Sequence, residues 1–145
     1  MSNPPWPKEV VGRYNPVRHL GKGAFATVML AKRKASEGGN DEELVAIKMV
    51  KVKTNKETQY AHRVMQILQE LNHPSIVKLI ESWEPHDSTF SAALVLSYAE
   101  GRTLYYLLDN IGAPCLTFGR VVIAQLIDAV AYLHSVSTRH ESVKC

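Results

Sequence analysis

The chain is 145 residues long, with 46% hydrophobic and 21% charged residues and a formal charge of +3. That length suits one domain able to bury a core, and the composition excludes a disordered polar chain. The charge is mild and the Lys48, Lys51, Lys53, Lys56 cluster has no interleaved aromatics, which favours a solvated strand end over nucleic-acid binding.

Residues 1–13 begin Met1-Ser2-Asn3-Pro4-Pro5-Trp6-Pro7 and read as a flexible extension without the charged-then-apolar succession of a signal peptide. Tyr14–Leu20 and Thr27–Lys32 are strand-like runs around a glycine-containing turn and make a hairpin. Residues 35–43 are a polar loop, and Leu44–Val52 is a third strand. From Thr58 to Leu71 the pattern is helical, with Ala61, Val64, Met65, Leu68 and Leu71 on one buried face. Asn72-His73-Pro74 ends that helix. Ile76–Trp83 and Ala92–Tyr98 are two further strands, separated by the turn-prone Pro85-His86-Asp87-Ser88.

After Gly101 a short helix is expected over Thr103–Leu108 and a long one over Thr117–Ser135, with Val121, Val122, Leu126, Ile127, Val130 and Leu133 apolar. The apolar run Val121–Leu133 is interrupted by Gln125 and Asp128 and reads as too short to span a bilayer, so no membrane is expected as a partner. Cys115 and Cys145 have no metal-ligand spacing and suit a reduced intracellular protein, cytoplasmic or nuclear. The fold class is α+β: five sequential antiparallel strands with one helix after the third, then helices.

The turn of the hairpin reads Leu20-Gly21-Lys22-Gly23-Ala24-Phe25-Ala26-Thr27-Val28, and the third strand carries Val45-Ala46-Ile47-Lys48. Glycines at 21 and 23 let backbone N–H groups approach phosphate oxygens without a Cβ in the way, and successive N–H groups form an anion-binding concavity. The same glycines also suit plain closure of a hairpin. No Gly-Lys-Ser/Thr follows at the required spacing and no helix opens there, so the turn is not a P-loop.

The glycine turn, the Val-Ala-Ile-Lys strand, the helix, His73-Pro74-Ser75-Ile76-Val77 and Leu94-Val95-Leu96-Ser97-Tyr98-Ala99-Glu100-Gly101 stand in an order that resembles the eukaryotic protein kinases. The resemblance covers residues 14–145: residues 14–99 as the N-lobe with its regulatory helix and hinge, and 100–145 as the first helices of an incomplete C-lobe. It implies ATP as the cofactor. Gly21, Lys22, Gly23, Ala24, Phe25 and Ala26 would form the loop over the phosphates, with Ala26 in place of the family's third glycine. Leu20, Val28 and Ala46 would cover the adenine, and Lys48 would contact the α- and β-phosphates. Leu96 would be the gatekeeper, while the Ser97 carbonyl and Ala99 N–H would read the adenine edge.

The chain also departs from the family. Counting back from Asn72-His73-Pro74, the helix glutamate that directs the strand lysine falls on Val64, which cannot balance a charge. Glu57 lies about 10 Å away along the helix axis, and only a shifted or partly unwound helix would bring it to Lys48. In the catalytic-loop register the chain reads His140-Glu141-Ser142-Val143-Lys144-Cys145. Ser142 then stands where the family's aspartate accepts the substrate proton, and serine has no such basicity. Lys144 resembles the serine/threonine branch.

No Asp-Phe-Gly and no catalytic-loop asparagine occur, so no metal site and no bound Mg2+ are expected in this chain. The reading is a truncated, pseudokinase-like domain of serine/threonine type that binds nucleotide and is inactive as it stands. The alternative is an incomplete sequence of an active serine/threonine kinase, and a third is a degraded or mis-spliced product. The apolar face of helix 117–135 is expected to be partly exposed and to offer a surface to a protein partner.

Overall fold

The computed structural model describes residues 6, 8–34, 43–51, 54–84, 92–113 and 115–142. These fall into two compact units, Met1–Glu70 with Lys78–Tyr98, and Leu71–Val77 with Ala99–Cys145.

The first unit is built on a five-stranded antiparallel sheet. Its strands are β1 (Tyr14–Lys22), β2 (Ala26–Arg33), β3 (Leu44–Val50), β4 (Leu79–Trp83) and β5 (Ala92–Ser97), ordered β1-β2-β3-β5-β4. The expected strands are present, the fourth starting three residues later than Ile76. Successive side chains of a strand point to opposite faces, and β3 obeys this cleanly. Val45, Ile47 and Met49 are fully buried, while Ala46, Lys48 and Val50 are half-buried on the other side.

The buried side holds the main core, where Val45, Ile47 and Met49 meet Met29, Ala31, Ala93, Val95 and Tyr14. Trp6 and Val10 complete this cluster, and Lys8–Arg13 forms a short helix, α1. The expectation of a flexible extension over 1–13 is therefore corrected for residues 6 and 8–13. A six-residue helix has little stability alone, so what fixes it is the burial of Val10 on an apolar sheet face. Charge pins its end as well: Arg13 and Arg33 both grip Glu81 of β4, at 2.8 and 2.6 Å.

Helix α2 (Asn55–Glu70) follows β3 and packs Met65 against Ala92 and Leu94, with Val50, Leu79 and Leu96 around them. It starts three residues before the expected Thr58 because Thr54 and Glu57 cap it reciprocally. The Thr54 hydroxyl accepts from the Glu57 N–H at 3.3 Å, and the Glu57 carboxylate accepts from the Thr54 N–H at 3.2 Å.

The second unit contains α3 (Leu104–Ile111) and α4 (Leu116–Ser142). Thr103 caps α3 by accepting from the Tyr106 N–H at 3.1 Å, and Gly112 ends it with φ 84°. The segment 71–77 lies on α4: the Asn72 N–H donates to the Tyr132 hydroxyl at 2.9 Å, and His73 Nε2 is 3.1 Å from Asp128 Oδ2. Ala129 and Val136 of α4 are buried, whereas Leu126 and Ile127 are each 63% exposed.

Helix α4 runs seven residues past the expected end at Ser135, because residues 136–142 contain neither glycine nor proline. His140, Glu141 and Ser142 are thus helical rather than in a loop. The length also corrects the bilayer expectation. The 21 residues Leu116–Val136 are long and apolar enough to cross a membrane by length and composition, a test that the core helices of soluble proteins also pass.

Candidate functional site

The half-buried face of the sheet brings most of the expected residues together. Lys48 pairs with Val28 on one side and Leu94 on the other, and Ala46 pairs with Leu96. Directly opposed residues of antiparallel strands share a face, so Val28, Ala46, Lys48 and Leu96 present one continuous surface. Leu20 reaches the strand pair differently. It is the extra residue of a β-bulge between His19 and Gly21, which shifts the β1 register by one.

The glycine turn spans residues 23–25 between β1 and β2. Neither Gly21 nor Gly23 has positive φ, and a Cβ at Gly21 would meet nothing within 4 Å. Their backbone conformations therefore do not require glycine, and what glycine leaves at Gly21 is open room above the turn. The Gly23 N–H donates to the Ala26 carbonyl at 2.7 Å, so it closes the turn instead of pointing outward. Among the described residues, the N–H groups of Ala24 and Phe25 make no backbone hydrogen bond, so these are the donors the turn can offer an anion. The tip is also tied to the sheet, since the Lys51 N–H donates to the Phe25 carbonyl at 2.8 Å.

Ser97 has a role the sequence left unread. Its hydroxyl accepts from the Lys78 N–H at 2.9 Å and its own N–H donates to the Lys78 carbonyl at 2.8 Å, locking the end of β5 to the start of β4. Ala99 is exposed and belongs to the second unit. Ser142 lies at the end of α4, and its side chain is outside the described residues.

Between α2, the β3–β5 pair and the glycine turn lies a cavity of about 470 Å³. Lys48 and Val64 both line it, so the helix position opposite the lysine is held by an apolar side chain. Among the described residues no carboxylate forms an ion pair with Lys48. Glu57 lines the same cavity, yet its carboxylate is engaged in the cap of α2. Tyr60, Ala61, Ala92, Leu94, Lys51 and Lys56 also line it, and sequence reasoning singled out none of these as site residues. The Thr54-x-x-Glu57 spacing was the available signal for where the helix begins, and hence for which of its residues face β3.

A glycine turn over a lysine-bearing strand, with one helix behind that strand and an apolar neighbour surface beside it, defines a small lobe of protein-kinase type. A protein kinase domain model matches residues 14–145, and the chain belongs to that family. It is 31% identical over 134 residues to serine/threonine-protein kinase 36 of Pongo abelii, covering 91% of this chain and 10% of that protein. It is 34% identical over 132 residues to serine/threonine-protein kinase PKH2 of Saccharomyces cerevisiae, covering 86% and 11%. Against CBL-interacting serine/threonine-protein kinase 3 of Arabidopsis thaliana it is 31% identical over 137 residues, covering 94% and 30%. These similarities place the chain in the serine/threonine branch, and it spans 10% to 30% of the length of these relatives.

Proposed function

We propose that this kinase-type lobe binds ATP and, as the chain stands, does not transfer its γ-phosphate. The observation that carries the second part is Val64 beside Lys48 in the cavity, with no carboxylate paired to the lysine among the described residues. ATP, when bound, supplies the phosphoryl group. Leu20, Val28 and Ala46 bracket its adenine, Leu96 closes the back, and the Ser97 carbonyl faces the adenine edge.

The loop from Gly21 through Lys22, Gly23, Ala24 and Phe25 to Ala26 covers the phosphates. The Ala24 and Phe25 N–H groups and the half-buried Lys48 ammonium fit such an anion. Lys48 attracts phosphate charge but lacks the partner that would fix its direction, and direction is what positioning catalysis needs. Among the described residues no group of three or more His, Cys, Asp or Glu is placed to hold a metal ion. Ser142 adds no general base.

A second reading, an active serine/threonine kinase of which this chain is one part, is favoured by the 10% to 30% coverage of its relatives. Val64 weighs against it, since that residue lies well inside the matched region. The intracellular setting rests on cysteine usage alone. The exposed face of α4 supports association with another protein, and a strictly monomeric, non-aggregating protein on sizing would count against that.

The test is thermal unfolding with ATP, with and without magnesium. ATP at about 100 times its Kd stabilises a folded state by roughly 2.7 kcal/mol, a shift of several degrees. The shift is expected for the wild-type chain, lost in Lys48→Met, and enlarged in Val64→Glu. Absence of any wild-type shift overturns nucleotide binding. Radiolabel transfer to a protein substrate, abolished by Lys48→Met, overturns inactivity.

A further inference from the structure

The outer end of β5 departs from the ladder it belongs to. Leu79 pairs with Leu96, so the next pair outward sets Lys78 opposite Ser97. In an antiparallel sheet a hydrogen-bonded pair exchanges two backbone bonds, one in each direction. Here the backbone makes one of them: the Ser97 N–H donates to the Lys78 carbonyl at 2.8 Å. The Lys78 N–H goes instead to the Ser97 hydroxyl, at 2.9 Å. A serine oxygen carries two lone pairs, so it stands in for the carbonyl as acceptor.

The swap changes what the Ser97 carbonyl can do. On its other flank Ser97 stands opposite Val45 of β3. Its N–H is turned to Lys78, so that pair is of the type that exchanges no bond. Neither flanking strand therefore takes the Ser97 carbonyl, while the Lys78 N–H still has its partner. The residue before it, Leu96, shares a face with Ala46, Lys48 and Val28. An unclaimed carbonyl at the edge of that face suits a neutral N–H donor, such as the amino group of a heteroaromatic base.

We infer that the Ser97 hydroxyl is a positioning residue's side chain: it takes the Lys78 N–H and so keeps the Ser97 carbonyl open to the amino group of a nucleotide base. This role rests on the nucleotide reading above, and adds to it a side chain that touches no ligand. Without the hydroxyl, the Lys78 N–H turns to the Ser97 carbonyl and the ladder closes in the ordinary way. The base then loses its acceptor, while the fold keeps its hydrogen bond.

Calorimetric titration of the full chain with ATP, and with purine riboside triphosphate, which lacks the exocyclic amino group, tests this in the wild type, Ser97→Ala and Ser97→Thr. The wild type is expected to bind ATP about fivefold more tightly than the analogue, as one neutral hydrogen bond would give. Ser97→Ala should bind the two alike at an unchanged urea midpoint, and Ser97→Thr, which keeps a hydroxyl, should recover the preference. With no nucleotide present, an NMR coupling across the hydrogen bond between the Lys78 amide nitrogen and the Ser97 carbonyl carbon should be absent in the wild type and appear in Ser97→Ala. Should Ser97→Ala not fold, or lose its urea midpoint, the hydroxyl is structural and the inference is overturned. It is also overturned by equal binding of the two nucleotides in the wild type, by the same preference in Ser97→Ala, or by that coupling in the wild type; each of these leaves ATP binding intact. Failure of the wild type to bind ATP at all overturns the nucleotide reading, and the role of Ser97 toward a base falls with it.

Discussion

Ile47 and Lys48 are neighbours in β3, yet Ile47 is fully buried and Lys48 half-exposed. The difference extends across the sheet. One face carries Tyr14, Val45, Ile47, Met49 and Val95, covered by Trp6 and Val10 from the N-terminal segment. The other carries Val28, Ala46, Lys48 and Leu96, and beside α2 it leaves a cavity rather than a filled core. Alternation along the same strands fills one face with core and leaves the other half-open, the face on which nucleotide binding is proposed. Changes on the two faces should therefore be read by different measurements.

The strongest test of the closed face is Ile47→Ala. It removes packed methylenes from a fully buried site and is expected to cost about 2–5 kcal/mol in denaturant unfolding. A loss below 1 kcal/mol would break the contrast between the faces.

Tyr14→Phe is expected to work in the opposite direction. The Tyr14 hydroxyl is buried without a hydrogen-bond partner, so removing it should stabilise by about 1 kcal/mol. Its alkaline behaviour sharpens the point. Burial first, and the Glu81 carboxylate second, hold the phenol above its ordinary pKa of 10.0. Above pH 10.0 the unfolded chain gives up this proton while the folded one keeps it, so the unfolded state binds fewer protons and stability falls as pH rises. Urea midpoints measured from pH 8 to 11 should show that fall in the wild type and a shallower one in Tyr14→Phe.

The smallest change belongs to the open face. Lys48→Met removes a half-exposed cation with no ion pair among the described residues, so unfolding free energy should move by no more than about 0.5 kcal/mol. A loss comparable to that of Ile47→Ala would show that Lys48 is structural and that the two faces are not functionally distinct.

Much of the first unit was legible because its strands alternate and its glycines and prolines fall between them. Lys48 and Val64 could be placed by counting along β3 and back from Asn72-His73-Pro74. Three things were not legible. Helix α1 is six residues long, with Gly12 inside it, and forms because Val10 has a sheet face to cover. The bulge at Leu20 depends on cross-strand hydrogen bonding, which one strand's sequence does not record. The cavity depends on the distance between α2 and the sheet, where Met65 packs against Ala92 and Leu94, and a linear motif does not record that distance. The run of α4 past Ser135 could have been read from the absence of a breaker.

The bond from the Lys51 N–H to the Phe25 carbonyl acts as a latch on the turn above the half-buried face of the sheet. One such bond contributes about 0.5–1.5 kcal/mol, little more than thermal energy. Held by that bond alone, the tip of the turn would be released for a measurable fraction of the time. Hydrogen exchange at the single amide of Lys51 then becomes a clock for that release, readable with no ligand present.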